Sequence, residues 1–168
     1  MLSNSSIRYF VFAVVLLLLY LKFYWIAGVL LFLFLSLLGL GAYFIQWNFF
    51  TTSLSHGDRT KKQIAITFDD GPFAEFTPKV LDILKAENVP AAFFVIGKNI
   101  VGNEATLKRM IAENHIIGNH SFSHNFWFSM KSTDEMLHDL RQTDSALENV
   151  IHRKAKLFRP PYGVTNPM

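Results

Sequence analysis

A chain of 168 residues that is 51% hydrophobic and only 17% charged is too apolar for an ordinary soluble domain. Its charge is unevenly placed: Met1 to Gly57 holds no acid and only Arg8 and Lys22 as strong bases, while all 13 acids follow from Asp58, against 14 lysines and arginines. The part after Gly57 is therefore close to neutral, so the chain's net positive charge does not come from a concentrated basic face and a nucleic-acid partner loses its main support. The aromatic and aliphatic content excludes disorder, and the lack of cysteine excludes disulfides and thiolate metal sites.

Two apolar runs, Tyr9 to Leu21 and Phe23 to Ile45, flank Lys22. As a helix rising ~1.5 Å per residue, the second reaches ~34 Å, enough for a hydrocarbon core of ~30 Å. The first is too short by itself and spans only if it runs over residues 7–25 with Lys22 snorkelling to the interface. The reading is a membrane anchor over residues 1–47, a helical transmembrane hairpin of helices at about 7–25 and 26–46. It is preferred to a single anchor preceded by an interfacial stretch. Tyr24 and Trp25 would mark one interface, and Trp47, Phe49 and Phe50 another. Arg8 ahead of an apolar run also resembles an export signal, but hydrophobicity continuing to Ile45 argues against cleavage. Lys22 in the short connection competes with Arg8 and the N-terminal amine on one flank and with Arg59, Lys61 and Lys62 on the other, so the positive-inside count does not assign the side of the membrane.

Residues 48–62 are polar, contain Gly57 and read as a linker. Beyond it the periodicity alternates. Gln63 to Phe68 reads as a strand ending in the acidic turn Asp69-Asp70-Gly71-Pro72. Thr77 before Pro78 predicts an N-cap and a helix to about Glu87, and Ala91 to Ile96 a buried strand. A helix over about Glu104 to Asn114 and a strand over His115 to Gly118 follow. Ser132 with Glu135 three residues on predicts a capping box opening a long helix to about His152, and Leu157-Phe158 begins a further strand. Strands alternating with helices imply an α/β fold with parallel strands, whose ends share one rim. Chemistry in such folds sits on that rim.

Three polar clusters fall at those strand ends. Adjacent carboxylates, Asp69 and Asp70, repel one another unless a cation is present or each has a separate task. His120 and His124, four apart, would share one face of a helical turn and converge on one metal ion. With a carboxylate from the first strand end they give an Asp-His-His set that leaves positions open for water and substrate. Arg159, ahead of Pro160-Pro161-Tyr162-Gly163, could pair with the carboxylate not on the metal and orient it as a base. The prolines remove backbone donors, so the N–H of Tyr162 is the first available to face the site.

The segments TFDDGP, HSFSH and RPPYG together resemble the NodB-homology polysaccharide deacetylases, carbohydrate esterase family 4, over residues 63–168. The resemblance implies Asp69 as general base, Asp70, His120 and His124 as ligands of Zn²⁺ (Co²⁺ or a similar ion is possible), Arg159 as the partner of Asp69, and the Tyr162 N–H as an oxyanion donor. It implies hydrolysis of N-acetyl groups on a peptidoglycan- or chitin-like glycan by a membrane-anchored enzyme with an extracytoplasmic catalytic segment. Two later family motifs, D-x-x-D-W and the L-x-H that supplies the general acid, are not present, and His56, His115, His138 and His152 are poor substitutes. The implied fold is thus the N-terminal half of a distorted β/α barrel, truncated at the C-terminus, with an unpaired edge strand and poor stability in isolation. Two alternatives stand beside it: a non-catalytic membrane-anchored fragment or binding module, and a metal-dependent esterase or amidase of other substrates on the same fold.

Overall fold

The computed structural model describes residues 4–50 and 52–164. Two compact units divide near Thr52. The first consists of α1 (Asn4–Tyr20) and α2 (Tyr24–Tyr43), followed by a short 3₁₀ turn at Ile45–Trp47. Lys22 takes a left-handed φ of 63° and ends α1 before the 7–25 boundary expected from hydrophobicity. By length and composition α2 is long and apolar enough to cross a membrane, whereas α1 falls short.

The second unit contains β1 (Thr67–Phe68), α3 (Thr77–Ala86), β2 (Ala92–Val95), α4 (Glu104–Ala112), β3 (Ile116–Asn119) and α5 (Thr133–Ile151). Its strands form a parallel sheet in the order β1-β2-β3, with Thr67 opposite Ala92 and Phe93 opposite Ile117. Phe158 adds a single parallel bridge beside Asn119, so the expected fourth strand is reduced to one pairing. This is the α/β fold with parallel strands that the alternation predicts.

β1 is much shorter than the expected Gln63–Phe68. In the observed register Ala65 falls opposite Pro90, which has no N–H to donate, and the ladder stops there. Ile64, beyond that point, is 91% exposed. The start of α3 also differs: Thr77 lies inside the first turn, and its hydroxyl accepts from the Phe73 N–H at 2.8 Å instead of capping the helix. Pro78 sits where a helix needs no N–H. The capping box of α5 forms as predicted: the Ser132 hydroxyl accepts from the Glu135 N–H, and the Glu135 carboxylate accepts from the Ser132 N–H at 2.9 Å.

The core joins Leu81 and Leu84 of α3, Phe93 and Val95 of β2, Leu107 and Met110 of α4, Ile117 of β3 and Leu147 of α5. Alternation along β2 sends Phe93 and Val95 into this cluster and leaves Phe94 on the opposite face. The three helices thus share one face of the sheet, as in a barrel wall. Polar residues following β1, β2 and β3 all emerge at the same edge.

Candidate functional site

The turn after β1 is tied to the end of β2: the Ile96 N–H donates to the Gly71 carbonyl at 2.8 Å, and the Asn99 side-chain amide donates to the Asp70 carbonyl at 2.9 Å. Asp70 adopts a left-handed φ of 70°. This backbone reversal sends the two carboxylates apart. Asp69 Oδ1 accepts from Arg159 Nη1 at 2.7 Å, whereas Asp70 Oδ1 lies 3.5 Å from His120 Nε2 and 3.1 Å from His124 Nε2.

His120 follows β3 directly, and its N–H donates to the Val95 carbonyl at 2.9 Å. The side chain is buried, with Nδ1 2.7 Å from the Arg159 carbonyl oxygen. A carbonyl can only accept, so Nδ1 carries a proton, and in the neutral imidazole Nε2 is the nitrogen with the free lone pair. That lone pair faces a carboxylate oxygen, itself an acceptor. Acceptors converging without a donor between them fit a cation, and one ligand atom each from Asp70, His120 and His124 lies within 4.8 Å of the others. The donor set suits a divalent ion.

The expected helical turn between the histidines is absent. Ser121 and His124 have left-handed φ values of 67° and 48°, and an irregular loop brings the rings together, with centroids 4.9 Å apart. A helix would carry one intrahelical donor per residue; here the loop's N–H groups turn to side chains instead. The Ser121 N–H donates to Asn119 Oδ1, those of Phe122 and Ser123 to Asp139, and that of His124 to the Ser121 hydroxyl.

Arg159 is positioned through its own backbone, whose N–H donates to the Asn119 carbonyl at 3.0 Å. Its Nη1 also donates to the Thr67 hydroxyl at 3.0 Å, and the guanidinium lies 4.1 Å from the Phe94 ring centroid. A flat cation held over an aromatic face and fixed at one edge by two oxygens has little freedom to leave Asp69. Tyr162 sits in the short turn Pro161–Gly163 with φ 58°, its ring 5.0 Å from that of His124. The Asp69, Arg159, Asp70, His120, His124 and Tyr162 singled out from the sequence thus stand at one rim.

The other histidines do not join them. His115 begins the opposite end of β3, buried against Phe93, with Nδ1 accepting from the Ala91 N–H at 3.1 Å. Burial, the largest influence, holds its imidazole below the usual histidine range; Glu113 opposes this and Arg109 adds to it. His56, His138 and His152 are exposed. Sequence reasoning missed Thr67, Phe94, Asn119 and Asp139. Only Asp139 left a trace: it shares a helical stripe with Thr143 and Leu147, at spacings of four, where an acid has no reason to be buried without partners.

Comparison with known proteins gives a consistent answer. The family model described as polysaccharide deacetylase matches residues 56–167. A peptidoglycan-N-acetylglucosamine deacetylase of Bacillus cereus is 42% identical over 107 residues, covering 64% of this chain and 38% of that protein. The solved structure of the peptidoglycan deacetylase PdaC from Bacillus subtilis matches with a TM-score of 0.61 and 39% identity, over 66% of this chain and 54% of that one. A family 4 acetyl xylan esterase from Clostridium thermocellum, solved with a cobalt ion, matches with a TM-score of 0.57 and 36% identity, over 61% of this chain and 50% of that one. The chain therefore spans well under half of the Bacillus cereus relative and about half of these solved structures. The matched residues contain both carboxylates, both histidines and the arginine of the rim, and the chain belongs to the polysaccharide deacetylase family.

Proposed function

We propose that this chain carries the metal-binding and base-bearing part of a deacetylase that hydrolyses N-acetyl groups on a cell-envelope glycan. The observation that supports it most is the division of labour between adjacent carboxylates: Asp69 is claimed by Arg159, and Asp70 faces two imidazole nitrogens. A divalent ion held by Asp70, His120 and His124, with zinc favoured by the imidazole-rich set, would supply Lewis acidity toward the acetyl carbonyl and ease ionisation of a water. Asp69 takes the proton of the attacking water, and Arg159 keeps its carboxylate aimed. The Tyr162 N–H donates to the acetyl oxygen as negative charge develops there. The amide C–N bond then breaks, giving acetate and a sugar amine. The leaving nitrogen takes up one proton as the bond breaks, balancing the proton that Asp69 received from the water.

The glycan is read as peptidoglycan from the names of the relatives, which include deacetylases of both N-acetylglucosamine and N-acetylmuramic acid. We read α2, which is long and apolar enough to cross a membrane, as an anchor that holds the domain at the outer surface, with the shorter apolar α1 accompanying it. A second reading, hydrolysis of acetyl esters, draws support from the acetyl xylan esterase likeness, because an alcohol leaves without needing an acid as strongly as an amine does.

The test uses the full chain purified in detergent. It should retain one equivalent of zinc, and the double substitution His120→Ala with His124→Ala should abolish retention. Undiminished zinc in the double variant would sink the site assignment. Acetate release from N-acetylglucosamine oligomers supports the amidase reading, whereas release from acetylated xylan alone supports the esterase.

A further inference from the structure

The loop between the two histidines is closed from below by a carboxylate on α5. Asp139 Oδ1 accepts from the Phe122 N–H at 2.6 Å and the Ser123 N–H at 3.3 Å, while Oδ2 accepts from the Ser123 hydroxyl at 2.6 Å and Lys131 Nζ at 3.2 Å. Its residue is only 4% exposed. We propose that Asp139 is a positioning residue of the metal centre, a buried anion that fixes the backbone between His120 and His124 so that both Nε2 atoms meet Asp70. This rests on the Asp70, His120 and His124 site proposed above.

Three features carry it. First, left-handed backbone at two non-glycine residues, Ser121 and His124, is disfavoured by ~1–2 kcal/mol each, so the loop does not hold this shape unaided. Second, the external bonds of the loop are divided by side. Its carbonyls face the turn after β2: Ser121 accepts from the Gly97 N–H, Phe122 from the Lys98 N–H, and Ser123 from Lys98 Nζ. Its two central N–H groups face α5, where Asp139 is their acceptor. Asn119 and the Ser121 hydroxyl serve the N–H groups on either side, so the loop is fixed at every residue.

Third, the core has no use for an acid at this place. Asp139, Thr143 and Leu147 form one buried stripe, and Leu147 enters the apolar cluster. Burying a carboxylate costs several kcal/mol unless its oxygens are satisfied. Burial pushes the Asp139 carboxyl up, yet the Ser123 hydroxyl, the Phe122 N–H, Lys131 and the Ser123 N–H together hold it below the usual range. Most of those donors belong to the loop. A residue serving α5 alone would be apolar, and would leave Phe122 and Ser123 N–H groups without acceptors.

The experiment compares the full chain in detergent with Asp139→Asn, Ser123→Ala and Leu147→Ala. Zinc affinity is measured by competition with a chromophoric chelator, the visible spectrum of the Co²⁺ form reports ligand geometry, and thermal melting of the metal-free chain reports stability. Asp139→Asn keeps the volume and removes the charge. It should weaken zinc at least ~10-fold, the low end for residues supporting metal ligands, and alter the Co²⁺ spectrum. Leu147→Ala, which perturbs the same stripe away from the loop, should lower the melting temperature and keep zinc affinity within about twofold. Parental affinity and spectrum in folded Asp139→Asn overturn the positioning role while leaving the metal site standing. Equal losses of affinity in Leu147→Ala and Asp139→Asn overturn it as well, since stability alone would then set affinity. If Asp139→Asn does not fold, Ser123→Ala decides: weakened zinc supports the role, and unchanged zinc overturns it. Failure of the parent chain to bind zinc removes the site reading itself.

Discussion

Leu147→Ala tests whether α5 is held to the sheet by burial. Leu147 has no exposed surface and belongs to the cluster formed by α3, α4 and the sheet. The substitution deletes three carbon groups, a transfer loss of ~2.4 kcal/mol at ~0.8 kcal/mol each. A cavity that closes only partly raises the total to about 3–4 kcal/mol, within the range found for buried Leu→Ala. In a unit of this size each kcal/mol shifts the melting point by ~4 °C or more, so the transition should fall by at least ~12 °C. Differential scanning calorimetry of parent and variant chains in detergent follows this transition directly, without relying on the aromatic side chains concentrated in the first unit. Leu137→Ala on the exposed side of the same helix has the same helix-propensity change and should cost under about 1 kcal/mol. A Leu147→Ala shift no larger than that of Leu137→Ala would refute the assignment of α5 to the core.

Two further outcomes follow from the geometry. The depressed imidazole of His115 means that the unfolded chain binds a proton which the native chain refuses, so stability should decline as pH drops below about 6.5 toward the lower native value. His115→Gln should flatten that decline in denaturant titrations at pH 7 and pH 5, and an unchanged difference between the two would contradict the burial argument. At Gly97 a Cβ would lie 2.4 Å from the Phe122 ring and 2.5 Å from Thr143 Oγ1. Gly97→Ala should therefore cost ~1–3 kcal/mol and weaken zinc by displacing the loop of the histidines; parental melting and affinity together would rule out the close approach.

Much of the second unit was legible because its signals are local. Alternating periodicity gave the order of strands and helices, and Ser132 with Glu135 announced the start of α5. Strand length was not local: β1 stops where Pro90 of a neighbour offers no N–H, which the sequence of β1 cannot reveal. Thr77 has the residue type of an N-cap, but the Phe73 N–H competes for its hydroxyl and wins. The first unit was legible in composition, while its break at Lys22 depends on one left-handed residue.

For the rim, residue chemistry and order along the chain were enough to single out Asp69, Asp70, His120, His124, Arg159 and Tyr162, because strand ends in a parallel α/β array face one edge. The sequence by itself determined that these groups are available and that they share this edge. Their distribution was decided by tertiary structure. Which carboxylate pairs with Arg159 follows from the reversal at Asp70, held by Ile96 and Asn99 from the next strand end. How the histidines converge follows from a loop whose donors are satisfied by Asn119 and Asp139, not from a helical repeat. Hydrogen bonds between residues distant in sequence fix such directions, and no spacing rule within a single segment encodes them.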